Sequence, residues 1–257
     1  VALLVLIGVH VSSTAWNDWA DYDIDKINLR GHSDRPLVTG RVTRQTMRQL
    51  ALSMAVISAT VSVPLGWTAM ILVVIVLAAN IQYSLPPLKL SHRKWIVPFY
   101  LPLGYMGLPY LLGYLLSGSA VLQIIPAVGL YLLFVARVSL KDIRDQIGDR
   151  AYKKSTLVLT YGVPFVCKLS ATCLIIGSSL LILTTPGTVA RWALFALVVL
   201  TCGVLWRVAV ASDRLRQLLF IGLGARIGNG ILVCYMAALL LQKHTYPAVS
   251  ILVFYMC

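Results

Sequence analysis

Glutamate is absent from this 257-residue chain, and its nine acidic side chains are all Asp. Charged residues of both signs make up only 12% of the sequence, against about 25% in an average soluble domain. With 59% apolar residues and a mean hydropathy of +0.83, that scarcity excludes a soluble domain, a disordered chain and a fibrous one. Cysteine is sparse and unpatterned. Cys167, Cys173, Cys202, Cys234 and Cys257 all sit in apolar stretches with no CxxC spacing, so they read as small core residues in a reducing or lipid setting. The histidines, His10, His32, His92 and His244, are scattered and form no ligand pattern. Bases are plentiful: 22 Lys and Arg give a net charge of +13. No soluble basic module carries them, which argues against a nucleic-acid partner. Few acids and many bases in an apolar chain suggest a membrane protein with basic loops.

A transmembrane helix needs about 20 apolar residues. Residues 49–88 carry no charge, enough for two spans broken near Pro64-Leu65-Gly66. Residues 95–136 are also uncharged and give two more, broken near Ser117-Gly118-Ser119. Approximate spans are 1–16, 46–63, 66–83, 95–116, 120–140, 160–184, 190–211 and 217–241, about eight in all. The first is short: at 1.5 Å per residue, sixteen residues reach about 24 Å. Because the chain opens on Val and not Met, further residues are expected before Val1, and a cleaved signal peptide fits poorly. The apolar tail at 246–257 is too short to cross. Segments 17–45, 84–94, 141–158 and 212–216 fall on one side and hold fifteen of the Lys and Arg. The opposite turns hold only Arg191 and Lys243. The positive-inside rule puts the basic face in the cytoplasm. The expectation is an all-α, multi-pass integral membrane protein forming a single membrane-embedded domain over 1–257.

Eight of the nine Asp lie in two stretches on that basic face. Asp18, Asp21 and Asp25 repeat the spacing of Asp142, Asp145 and Asp149, offset by 124 residues, which points to pseudo-duplicated halves. Positions i, i+3 and i+7 fall within about 60° on a helix, so each set lines one face, while Asp23 and its charge point elsewhere. Carboxylates about 6 Å apart repel by roughly 3 kcal/mol at an effective dielectric of 20. Two such triads meeting at a bundle mouth need cations, and hard oxygen clusters suit Mg²⁺. Lys26, Arg30, Arg35, Arg41 and Arg44 follow the first triad; Lys141, Arg144, Arg150, Lys153 and Lys154 surround the second; Lys89, Arg93 and Lys94 lie between. Acids that hold Mg²⁺, interleaved with bases that neutralise phosphate oxygens, are what a diphosphate site requires. In a membrane bundle that head group suggests a substrate with a lipid tail.

Blander readings compete. A single Asp at a span end is most simply an interfacial polar residue, and Arg93, Lys94, Arg214 and Arg216 are most simply topology signals. Intramembrane acids also mark ion pathways, which keeps an ion-coupled transporter open.

The motifs resemble those of the UbiA superfamily of intramembrane prenyltransferases. Asn17-Asp18-Trp-Ala-Asp21-Tyr-Asp-Ile-Asp25 is similar to its NDxxDxxxD motif, and Asp145-Gln-Ile-Gly-Asp149 to its DxxxD motif. Asp34-Arg35-Pro36-Leu-Val-Thr39-Gly40 resembles its DRPxxSG segment, with Thr for Ser. Tyr83-Ser-Leu-Pro-Pro-Leu-Lys89 resembles YSxPPLK, and Gly148-Asp149-Arg150 with Ser155-Thr156-Leu157 resembles GDRxxxxxTL. The forms are most like the branch that contains chlorophyll synthase, homogentisate prenyltransferases and the archaeal ether-lipid enzyme. The family usually has nine helices, so its first is unaccounted for here. Some members also space Tyr and Lys by four, against six for Tyr83 and Lys89.

The resemblance implies transfer of a prenyl group from a polyprenyl diphosphate to a lipophilic or aromatic acceptor within the bilayer. It implies Mg²⁺ as cofactor, with Asn17, Asp21, Asp145 and Asp149 as the foremost ligands and Asp18, Asp25 and Asp142 as additional ones. Asp21, Asp145 and Asp149 would carry catalysis. Arg35, Tyr83 and Lys89, with Lys141 and Arg144, would hold the diphosphate. Allylic C–O cleavage needs that leaving charge neutralised and water excluded. Trp16, Trp19, Tyr100, Tyr105, Tyr110, Tyr114 and Tyr131 could face a carbocation, although their spacing gives no single face and favours packing. A UbiA-type terpene cyclase shares the same ionisation and stays open.

Overall fold

The computed structural model describes residues 1–29 and 35–241. Arg30, His32 and Asp34, and the tail that holds Lys243, His244 and Cys257, lie outside the described residues. Among those described there are α-helices and short helical turns and no strands. The helices are α1 (Ala2–Ala20), α2 (Tyr22–Asn28), α3 (Arg44–Ser62), α4 (Trp67–Ser84), α5 (Val97–Pro102), α6 (Leu108–Ser117), α7 (Ile124–Ala151), α8 (Leu157–Thr184), α9 (Thr188–Val210) and α10 (Arg214–Leu241). Seven helical stretches are long and apolar enough to cross a membrane: α3 with the turn to Leu65, α4, α5 through α6, and α7 to α10. Helices close their own backbone hydrogen bonds, as lipid demands. Their outer faces stay apolar: Trp67 is 73% exposed and Val189 84%. Such a surface suits hydrocarbon and not water.

Glycine makes the turns on the base-poor side. Gly66 at φ 99° and Gly118 at φ 66° reverse the chain between α3 and α4 and after α6, in a region closed to most side chains. The stretch that carries Pro98, Pro102 and Pro109 passes through a π-helical turn, Leu103–Gly107, between α5 and α6. α8 breaks near its start at Gly162, φ 80° and ψ 169°, just before Pro164.

The chain gathers into two compact units, Val1–Val97 with Asp145–Thr156, and Pro98–Arg144 with the residues from Leu157 on. In the first, α1 packs closely on α3. A Cβ on Gly8 would come within 2.2 Å of Ser58 Oγ, so a larger residue there would have to displace the Ser58 hydroxyl. Ser12 Oγ donates to Ala51 O at 2.8 Å across the same contact. In the second unit, α7 and α8 cross at Gly129 and Gly177, where a Cβ on Gly177 would meet Gly129 O at 2.8 Å. Small residues at such a crossing let backbones approach, as is usual between membrane helices. Leu130, Leu181, Leu194, Ile231 and Tyr235 fill the core around it, each at most 2% exposed.

Candidate active site

The first acidic motif bends the chain. Asn17 and Asp18 end α1, Asp21 caps the bend at φ −95° and ψ 13°, and Asp25 lies in α2. The hydrogen-bond ladder continues through the bend, with Asp21 N donating to Asn17 O and Asp25 N to Asp21 O, each at 2.8 Å. The motif therefore keeps its near-helical register. Asp18 and Asp21 are buried, Asn17 and Asp25 half-buried. Asp23 is exposed, its Oδ2 3.7 Å from Arg44.

The second motif lies inside α7. Its Asp145 and Asp149 belong to the same compact unit as the first motif, whereas Asp142, Lys141 and Arg144 belong to the other. Gly148 seats the end of α7. A Cβ there would meet Ile24 O at 2.7 Å and the Asn28 side chain at 2.8 Å. The Gly148 N–H donates to Asn28 Oδ1 at 2.6 Å. Glycine at 148 thus lets α7 lie directly on α2 and brings the two motifs together.

Lys154 joins them. Its Nζ is 3.2 Å from Asp21 Oδ2 and 3.7 Å from Asp149 Oδ1, and its side chain is only 11% exposed. Lys153, at φ 52°, turns the chain after α7, and Lys154 N donates back to Asp149 O at 2.8 Å. Asp18 is held separately by Arg35 at 2.5 Å. The turn that follows fixes Arg35, since Thr39 N and Oγ1 both donate to Arg35 O. Thr39 Oγ1 also donates to Pro36 O at 3.2 Å.

The carboxylates crowd one another. Burial pushes the Asp25 carboxyl up from 3.8 to about 7; Arg35 opposes the rise, and Asp18, Asp21 and Asp145 add to it. Asp21 Oδ1 is buried and accepts no hydrogen bond. His92, after Lys89, is held below its ordinary value by burial and by Lys89 and Lys154, with Asp21 acting in the other direction. The segment with Lys89 and His92 therefore lies within electrostatic reach of the acidic pair. Lys89 itself adopts φ 40°, a left-handed conformation uncommon for its type. Tyr83, at the end of α4, is buried.

No three His, Cys or Asp side chains among the described residues are close enough to form a metal cage by themselves. The donors that do meet, the buried carboxylates of Asp21 and Asp149, with Asp21 Oδ1 accepting no hydrogen bond, fit Mg²⁺ in its usual mode. That ion takes one or two carboxylates and completes its shell with waters and phosphate oxygens.

Three contributors were not singled out by the sequence: Lys154, Asn28 and His92. Lys154 was one base among several, and only its position five residues after Asp149 hinted at a role.

This chain belongs to the UbiA prenyltransferase family, whose profile matches residues 1–218. It is 28% identical over 209 residues to the bacteriochlorophyll synthase 33 kDa chain of Rhodobacter capsulatus, covering 77% of this chain and 66% of the relative. It is 26% identical over 171 residues to the digeranylgeranylglyceryl phosphate synthase of Methanothermobacter thermautotrophicus, covering 66% and 57%. The chain thus spans two thirds or less of the length of these curated relatives. Its fold matches the apo structure of a UbiA homolog from Aeropyrum pernix K1, with TM-score 0.61, 20% identity and 88% of each chain covered.

Proposed function

We propose that this protein transfers a prenyl group from a polyprenyl diphosphate to a lipophilic or aromatic acceptor inside the membrane, with Mg²⁺ as cofactor. The observation that carries this reading is Lys154 between Asp21 and Asp149, since one cation site then serves both acidic motifs. Asp21 and Asp149, with Asp145, Asn17 and Asp25 beside them, would hold the metal. Asp18 would act through Arg35. When bound, Mg²⁺ supplies positive charge against the diphosphate oxygens as the allylic C–O bond breaks.

The protein's own groups do the rest. Arg35, Lys89 and Lys154 gather the diphosphate and take up its growing charge. Lys154 balances Asp21 and Asp149 before substrate arrives, so the site does not carry unopposed buried carboxylates. The prenyl carbon forms its new bond to the acceptor, diphosphate leaves, and the acceptor loses a proton. The fifteen bases on the face that carries the Asp motifs support a cytoplasmic orientation for them. The relatives are named for different products, so the acceptor is assigned here by class.

Membranes containing the protein, incubated with labelled prenyl diphosphates of several lengths and a panel of acceptors, test the reading by mass spectrometry. Labelled product that appears with Mg²⁺ and disappears with chelator is the expected result. Diphosphate release with a cyclised tail and no acceptor adduct would move the assignment to a terpene cyclase. Ion flux without either product would move it to a transporter.

A further inference from the structure

α7 carries a second charged stripe. At 100° per residue, Arg137, Lys141 and Arg144 fall within about 60° of one another and roughly 100° round the helix from Asp142, Asp145 and Asp149. All three bases line a cavity of about 270 Å³ walled by α7, α8, α9 and α10 and open on one side, wholly within the second unit. Its other walls are largely aliphatic, including Leu133, Leu174, Leu205 and Leu232. Among the described residues that line it there is no carboxylate. Its two hydroxyls are already used, Ser170 Oγ donating to Ala136 O and Thr201 Oγ1 to Leu197 O, each at 2.8 Å. A ligand's polar end must therefore meet the bases.

Depth sharpens the chemistry. Counted from Ile124, the start of α7, Arg137 lies about 20 Å along the axis and Arg144 about 30 Å, the thickness of a bilayer core. Arg137 thus sits at hydrocarbon depth, where a cation needs a partner. It donates to the Asn229 side-chain oxygen, which supplies a hydrogen bond and no charge. Basic pockets between membrane helices on the cytoplasmic side suit anionic lipid head groups. A volume of about 270 Å³ accepts part of one chain, at the low end of ordinary ligand pockets.

We propose that this cavity binds an anionic membrane phospholipid, its phosphate against Arg137, Lys141 and Arg144 and one acyl chain along the aliphatic wall. This proposal stands whether or not the protein transfers prenyl groups.

Native mass spectrometry of the purified, delipidated full chain tests it, with phosphatidylglycerol, phosphatidylcholine, inorganic phosphate and geranylgeranyl diphosphate as separate probes. Phosphatidylglycerol should be retained well above phosphatidylcholine, and inorganic phosphate not at all. Arg137→Gln should weaken phosphatidylglycerol retention about fivefold, the effect of one base near a lipid surface. Gly228→Leu offers a variant that does not disturb the bundle, because a Cβ at Gly228 meets nothing within 4 Å, yet its side chain would enter the cavity. It should abolish retention. Equal retention of the two phospholipids, wild-type retention by Gly228→Leu, or displacement of the lipid by equimolar geranylgeranyl diphosphate overturns the proposal.

Discussion

The first acidic motif turns a corner and the second does not. Asp21 sits in the bend between α1 and α2, whereas Asp145 and its neighbours stay inside α7. Asp18 and Asp142 occupy equivalent places in the repeat, but Asp18 pairs with Arg35 beside the acidic cluster and Asp142 belongs to the other compact unit. A shared spacing therefore gives shared local register without shared surroundings. What unites the motifs is one crowded glycine, Gly148, whose place in the first copy is taken by Ile24, and one ammonium, Lys154.

The comparison breaks most easily at the two carboxylates that meet. Asp21→Asn and Asp149→Asn should each lower labelled prenyl transfer by about 100- to 1,000-fold, the range for removing one preorganised charge-stabilising group. A loss in only one of them would separate the motifs. Next is Gly148→Leu, which drives a side chain into Ile24 O and Asn28. Overpacking of this kind costs about 1–3 kcal/mol, so transfer should fall and the melting temperature with it. Gly203→Leu, where a Cβ meets nothing within 4 Å, should leave both unchanged.

Asp18 and Asp142 then sharpen the difference between equivalent places. Asp18→Asn frees Arg35 and should raise KM for the diphosphate donor by about tenfold, the effect of losing one charge-assisted contact. Asp142→Asn should affect the melting temperature more than transfer, which a thermal-shift assay and the transfer assay together would show.

Asp25 gives a pH signature. Its value in the folded, metal-free protein, about 7, lies above its ordinary 3.8. The folded state therefore holds the proton more tightly, and stability from this group is full below about pH 4 and lost as pH rises through 7. Melting temperatures of metal-free protein should decline over that window and flatten in Asp25→Asn. The smallest effect belongs to Asp23→Asn. Its exposed 3.7 Å pair with Arg44 is of the kind that contributes about 0–1 kcal/mol, and transfer should stay within about twofold.

Much of the fold was legible because lipid imposes simple rules. Except for α7, uncharged runs marked the long helices from 46–63 to 217–241 to within a few residues. Glycine and proline marked the turns after Leu65 and Ser117. The boundaries moved where charge does not stop a helix: α7 runs on past the span at 120–140, through Asp142, Asp145 and Asp149 to Ala151, in the helical register that the Asp spacing implies. The turn at Leu103–Gly107 and the break at Gly162 needed backbone geometry that composition only hints at. Within the site, the acidic residues announced themselves by repetition. Lys154 did not, because its contact with Asp21 spans 133 residues of sequence and no local spacing encodes it. Lys141 and Arg144, expected with Arg35 and Lys89 among the diphosphate ligands, line the α7–α10 cavity.

The most direct test of a single site built from both motifs is a double-mutant cycle on Asp21 and Asp149, read as labelled prenyl transfer over several decades of rate. If both carboxylates act on one metal–diphosphate unit, Asp21→Asn with Asp149→Asn together should be little worse than either alone. Losses that multiply, as for two independent groups, would contradict it.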